Sequence, residues 1–249
     1  MLAGTVLGEP KTADGPVEMI RTLRVVRRSA MKARTQTANQ LRSVLVTAPQ
    51  KLRERFRGLA MHHLVATAAR LRPGSMRSPE AAAKLALRML AARYQQLTAE
   101  IEELDAQISG LASEAAPDLV AIKGVGTDIA ASLLAAAGDN PERLRSEAAF
   151  AHLCGVSPIP ASSGKTNRHR LNRGGNRDAN RALYLLAVGR LSYDPRTRAY
   201  ATKRTAEGKS KTEIIRCLKR YLAREVFHAL TSKNSALQPP TPLPKDTAA

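Results

Sequence analysis

A mainly α-helical fold is predicted: a long helical and coiled-coil region, then a compact helical domain with a helix-hairpin-helix and a short β-hairpin. Three observations predict it. Apolar residues recur at spacings of three and four over long stretches, the signature of helices with one buried side. Leu87, Leu90, Tyr94, Leu97, Ile101, Leu104, Ile108 and Leu111 form an unbroken heptad row, as in a coiled-coil seam. Proline, glycine and capping residues bracket each periodic stretch.

Residues 1–16 read as an irregular leader. Asp14-Gly15-Pro16 then opens a helix, because proline suits a first turn where its missing N–H is no loss. Val17, Ile20, Leu23, Ala30, Thr37, Leu41 and Val44 mark its inward side to about Thr47. Arg21, Arg24, Arg28 and Lys32 lie on another side, with Arg27, Arg34 and Arg42 nearby and Glu18 as the acid among them. Such a face is either solvated or tracks phosphates. Ala48-Pro49 ends this helix, and a second is expected to about Leu71, with Leu52, Phe56, Leu59, Leu64 and Leu71 inward. Ser78-Pro79-Glu80 starts the helix that carries the heptad row. That row can pair with the helix over 17–47 in the same chain or with a second copy, and the pattern does not choose. The helical and coiled-coil region is therefore 17–116. Ala115-Ala116-Pro117 begins the compact domain, 117–230, and the proline-rich remainder, 231–249, is expected to be disordered.

Charge sets the class of partner. Forty Lys and Arg against 21 Asp and Glu give a net charge of +19, which points to a polyanion and first to nucleic acid. No apolar run approaches the roughly 18 residues of a membrane span. The first residues lack the charged and apolar regions of a signal peptide. Cys154 and Cys217 are isolated, which fits reduced thiols and a cytoplasmic location. Aromatics are 3% of the chain and Trp is absent, so stacking on bases is a poor candidate for the main binding mode.

Two segments carry candidate chemistry. In "LVAIKGVGTDIAASLLAAAG", a Gly124-x-Gly126 turn joins two apolar helices, with Lys123 just before it. A helix-hairpin-helix turn of this kind aims backbone N–H groups and a helix N-terminus at a DNA phosphate without reading bases. An ordinary helix–helix turn would look similar. In "PIPASSGKTNRHRLNRGGNRD", the breakers at Gly155, Pro158 and Pro160 stop the preceding helix. A loop or short β-hairpin follows with Lys165, Arg168, Arg170, Arg173 and Arg177. Gly174-Gly175 lets the backbone approach a ligand closely, and Asn176 caps a helix to about Leu191. By itself such a basic loop is usually solvated, and Ser162 and Ser163 are turn formers. A tyrosine recombinase is disfavoured, because neither His152 nor His169 has an Arg three residues on. Ser210-x-x-Glu213 is a capping box, opening a last helix with Lys211, Arg216, Lys219, Arg220 and Arg224 on a basic side.

The order "IKGVG", "GVSP", "SSG", "RLNRGGN" resembles the C-terminal transposase domain of the DEDD insertion-sequence transposases, bridge-RNA-guided recombinases related to the Piv-type invertases. The upstream helices are similar to that family's coiled-coil region. The resemblance implies a serine nucleophile directly before the glycine, Ser163, with Ser162 as the less favoured neighbour. It implies attack on a DNA phosphodiester, with Arg168, Arg170 and Arg173 stabilising the developing charge. DNA, a structured guide RNA and a second copy of the chain are the implied partners. The family's RuvC-like domain, whose carboxylates bind divalent metal, has no counterpart here. No cofactor is therefore expected in this chain, and the leader reads as the end of a linker from that domain. On this reading the chain cannot cut DNA alone.

Overall fold

The computed structural model describes residues 10–161 and 169–232. The first nine residues and the tail from 233 on, with the disorder expected of it, lie outside the described residues. The fold is mainly α, with one two-stranded antiparallel ribbon among the described residues. Two compact units divide the chain. One takes residues 22–107, and the other takes residues up to 21 and from 108 on.

The 22–107 unit is built from α1 (Pro16–Thr47), α2 (Gln50–Phe56), α3 (Met61–Ala69) and α4 (Pro79–Ala115), the first and last of which also supply the other unit. Ser78 caps α4 as predicted, accepting the Ala81 N–H at 3.2 Å. Within this unit α1 and α4 run antiparallel. The Arg27 guanidinium binds the Asp105 carboxylate, the Arg34 guanidinium sits 5.9 Å from the Tyr94 ring, and Leu41 shares a buried cluster with Leu87 and Ala91. Residue numbers therefore fall along α4 as they rise along α1. Leu87 and Ile101 are buried, and Leu90, Tyr94, Leu97 and Leu104 are half-buried. Of the two pairings open to the heptad row, the structure shows the one within the chain.

The single helix expected to run to about Leu71 is instead two. Gly58 adopts a left-handed conformation (φ +74°) just past α2, the usual helix stop, because only glycine enters that region without cost. Leu59 is consequently 36% exposed rather than inward. Phe56, Leu64, Val65 and Leu71 still reach the cluster around Leu41 and Leu87.

The other unit packs α5 (Pro117–Ala121), α6 (Thr127–Ala137), a 3-10 turn (Pro141–Arg143), α7 (Glu147–Leu153), β1 (Ile159–Pro160), β2 (His169–Arg170), α8 (Arg177–Tyr193), α9 (Pro195–Ala206) and α10 (Lys211–Thr231). The long α8 lies between α6 and α10. Alanines 130, 131, 136 and 137 of α6 and 179, 182 and 187 of α8 are buried, and such small side chains let two helices approach closely. Phe150, Leu183, Leu186, Leu218, Leu222 and Val226 fill the remaining core. The capping box at Ser210 and Glu213 forms as predicted.

The start of α1 belongs to this unit and has an unpredicted cap. The carboxylate of Asp139, far away in sequence, accepts the N–H groups of Val17 and Glu18 at 2.7 and 3.1 Å. An acid there satisfies two orphan donors and opposes the positive end of the helix dipole. Gly15 makes room for it, since a Cβ at residue 15 would lie 2.3 Å from Asp139 Oδ1. Gly15→Ala and Asp139→Ala should each cost about 1 kcal/mol in urea unfolding, the usual value of a cap. The double variant should lose little more than either one, and fully additive losses would show the two residues to be independent.

Candidate nucleic-acid interface

The glycine turn lies between α5 and α6. Gly124 has φ +93°, Gly126 occupies the N-cap of α6, and the intervening Val125 is buried. The turn rests on the C-terminal half of α8. The Lys123 carbonyl accepts two hydrogen bonds at 3.2 Å, one from Arg190 Nε and one from the Tyr193 hydroxyl. The Lys123 ammonium lies 5.1 Å from the Tyr193 ring centroid, within cation–π range. A Cβ on Gly124 would stand 2.2 Å from the Tyr193 hydroxyl and 3.0 Å from Leu186 Cδ1, so contact as well as φ requires glycine. Arg190 is tied to α10 by two 2.8 Å bonds to the Glu225 carboxylate. Burial works most strongly against its charge, but the Glu225 carboxylate, with Tyr193 and Asp194 adding to it, raises the guanidinium pKa on balance.

The serine segment leaves the core through a backbone crossing. β1 and β2 pair antiparallel, with Ile159 opposite Arg170 and Pro160 opposite His169, so the expected hairpin forms at its base. Ser162, Ser163, Lys165 and Arg168 lie between the two strands in sequence and outside the described residues. Beneath the hairpin, Gly155 (φ +65°) and Gly175 touch: a Cβ on Gly175 would come within 2.2 Å of the Gly155 nitrogen. The Asn176 N–H donates to the Leu153 carbonyl at 2.6 Å, and the Asn176 side chain caps α8 as predicted. Asn180 donates to the carbonyls of Cys154 and Gly155 at 2.9 and 3.0 Å, and Lys219 of α10 donates to Asn180 Oδ1 at 2.9 Å. Asn172 Oδ1 accepts the Gly174 N–H at 2.9 Å. Under this crossing Cys154 is fully buried, and burial pushes its thiol up to about 12, out of reach of thiolate chemistry at neutral pH.

The predicted cations separate into two groups. Lys123, Arg170, Arg173 and Arg177 are exposed in the unit that holds the glycine turn and the hairpin. Arg21 pairs with Glu18. Arg24, half-buried, and Arg28, exposed, belong to the 22–107 unit. The basic side expected on α10 is corrected by its contacts. Lys219 turns inward to Asn180, Arg224 binds Glu147 at 2.7 Å and Arg220 lies 3.9 Å from the same carboxylate, leaving Lys211 and Arg216 exposed. These cations compensate acids and amides inside the domain, which periodicity cannot reveal. Sequence reasoning also missed Arg190, Glu225, Asn172 and Asn180. One signal was present: Asn172, Asn176 and Asn180 recur every four residues around Gly174-Gly175, a density of amides suited to holding loop carbonyls. Among the described residues, no three His, Cys, Asp or Glu side chains converge as metal ligands, and no helix is long and apolar enough to cross a membrane.

The glycine turn, the hairpin base and α8 lie within residues 116–202, which match the model described as the Transposase IS116/IS110/IS902 family. Over 130 residues the chain is 35% identical to the 43.6 kDa protein of insertion element IS110 from Streptomyces coelicolor, covering 51% of this chain and 32% of that one. Over 151 residues it is 29% identical to the 42 kDa protein of insertion element IS900 from Mycobacterium paratuberculosis, covering 59% of this chain and 37% of that one. The chain thus spans about a third of the length of these relatives.

The Gly155–Gly175 contact gives a sharp contrast between adjacent glycines. Gly175→Ala drives a methyl group into backbone that cannot yield, and should cost roughly 1–3 kcal/mol or more in chemical unfolding. At Gly174 the nearest atom to a new Cβ is Asn172 Oδ1 at 3.5 Å, so Gly174→Ala should change stability by no more than about 0.5 kcal/mol. Equal losses in the two variants would refute the crossing.

Proposed function

We propose that this chain supplies the DNA-binding and strand-transfer part of an insertion-sequence transposase, with Ser163 as the nucleophile and Ser162 as its less favoured neighbour. The match of residues 116–202 to the transposase model carries this reading, because it spans both the glycine turn and the serine segment. Exposed Arg170, Arg173 and Arg177 beside the hairpin support it. Attack on a phosphodiester concentrates negative charge on the nonbridging oxygens, and guanidiniums stay protonated and bind such oxygens bidentately. In the proposed step the serine oxygen bonds to phosphorus and the bond from phosphorus to one deoxyribose oxygen breaks. The serine proton ends on that departing hydroxyl, and no oxidant or reductant is needed. We assign the divalent metal of the reaction to a carboxylate domain acting together with this chain. The same resemblance extends the partners to a structured guide RNA, in keeping with the net charge of +19, and to a second copy of the chain.

The electrostatic part is tested by salt. Affinity for duplex DNA should fall by orders of magnitude between about 50 and 200 mM salt, as counterions released by bound cations dictate. A flat response would sink it. The chemical part is tested with the carboxylate domain of a relative supplied in trans. A detergent-resistant protein–DNA adduct should form, vanish in Ser163→Ala with binding nearly intact, and persist at least in part in Ser162→Ala. An adduct that survives Ser163→Ala, or is lost in Ser162→Ala alone, identifies a different nucleophile.

A further inference from the structure

We infer that Arg190 and Tyr193 are positioning residues for the Lys123–Gly126 turn, holding it in the shape that presents Lys123 and the α6 N-terminus to one phosphate of a nucleic-acid backbone. The inference rests on reading that turn as a phosphate site. Arg190 would be counted as one more DNA-contacting cation from its sequence alone. Its geometry argues otherwise. The side chain is 15% exposed, and its donors are engaged inside the protein: Nε on the Lys123 carbonyl, Nη1 and Nη2 on the two Glu225 oxygens.

That carbonyl is an unusual place for two donors to meet. Lys123 lies just after α5, and Gly124 turns into the left-handed region right behind it. Rotation of the Lys123–Gly124 peptide would redirect the turn. Two donors from one turn of α8 oppose that rotation, because it would strand both of them. The Tyr193 ring acts on the other end of the same residue, drawing the ammonium to 5.1 Å from its centroid. Backbone and side chain of Lys123 are thus restrained by one aromatic residue, whose rigid ring loses little entropy in the task. Glu225 completes the device. It fixes Arg190 from α10, so the orientation of the turn depends on how α8 and α10 pack. Preorganisation of this kind strengthens binding by reducing what must be ordered when the ligand arrives.

A cycle of variants in the whole chain tests the inference, read as affinity for a duplex of mixed sequence at fixed salt. Lys123→Ala should weaken binding several-fold and lower the salt slope by about one unit, the loss of one phosphate contact. Tyr193→Phe, which keeps the ring and removes the hydroxyl, and Arg190→Gln should each weaken binding in the Lys123 background. In the Lys123→Ala background both should have almost no further effect. Arg190→Lys should recover thermal stability through Glu225 without recovering full affinity, which a purely structural role would not separate. Losses that stay full-sized beside Lys123→Ala would show Arg190 or Tyr193 contacting the duplex directly and overturn the inference. It is likewise overturned if Lys123→Ala weakens binding while Tyr193→Phe, the variant least able to disturb folding, does not. If Lys123→Ala itself changes neither affinity nor slope, the turn is not a phosphate site, and that reading fails together with the inference.

Discussion

The hairpin depends on the contact between Gly155 and Gly175. Two backbones meet there at a distance no side chain could share, at the point where α7 has ended and α8 is about to begin. Because the strands pair over two residues each, their own hydrogen bonds cannot hold the ribbon, and a ribbon that short is not stable alone. The crossing beneath it supplies what the strands lack. Asn176 ties its peptide to Leu153 while capping α8, Asn180 gathers the carbonyls of Cys154 and Gly155, and Lys219 closes the network from α10. A loop rich in arginine is thereby anchored to three helices at its root.

Charge plays two parts in this domain, and they look alike in composition. Part of the basic excess is structural. Arg190, Arg220 and Arg224 meet the carboxylates of Glu225 and Glu147, and Lys219 meets an amide at a site where burial lowers its pKa. The acids of the last two helices are engaged locally as well: Asp194 and Glu213 cap them, and Glu207 pairs with Arg204. Lys123, Arg170, Arg173 and Arg177, by contrast, are exposed. A polyanion would encounter these residues around the glycine turn and the hairpin, and that arrangement underlies the functional proposal.

Much of the helical scaffold was legible because periodicity and punctuation are local. The heptad row, the breaks at Pro49 and Pro117, the Ser78 start and the Ser210 capping box all express physics within a few residues of one another. The failure at Gly58 was local too. The apolar spacing was followed through a glycine whose left-handed conformation ended the helix. The pairing of the heptad row was not legible, because an apolar seam is satisfied by any complementary seam. Only the apposition of Arg27 with Asp105 and of Leu41 with Leu87 chose the partner within the chain.

At the candidate site the division runs along the same line. The sequence by itself determined that a glycine turn would join two apolar helices, that Asn176 would start a helix, and that arginines would cluster beside two serines. Each follows from residue type and near neighbours. The tertiary structure alone decided which cations face solvent and which are spent inside, that Asp139 caps a helix more than a hundred residues away, and that Arg190, Tyr193 and Glu225 brace the turn at Lys123. Those outcomes depend on which helices pack together. Packing is a property of the whole fold, since one side chain's hydrogen-bonding partner is set by the approach of another element and not by its own place in the chain.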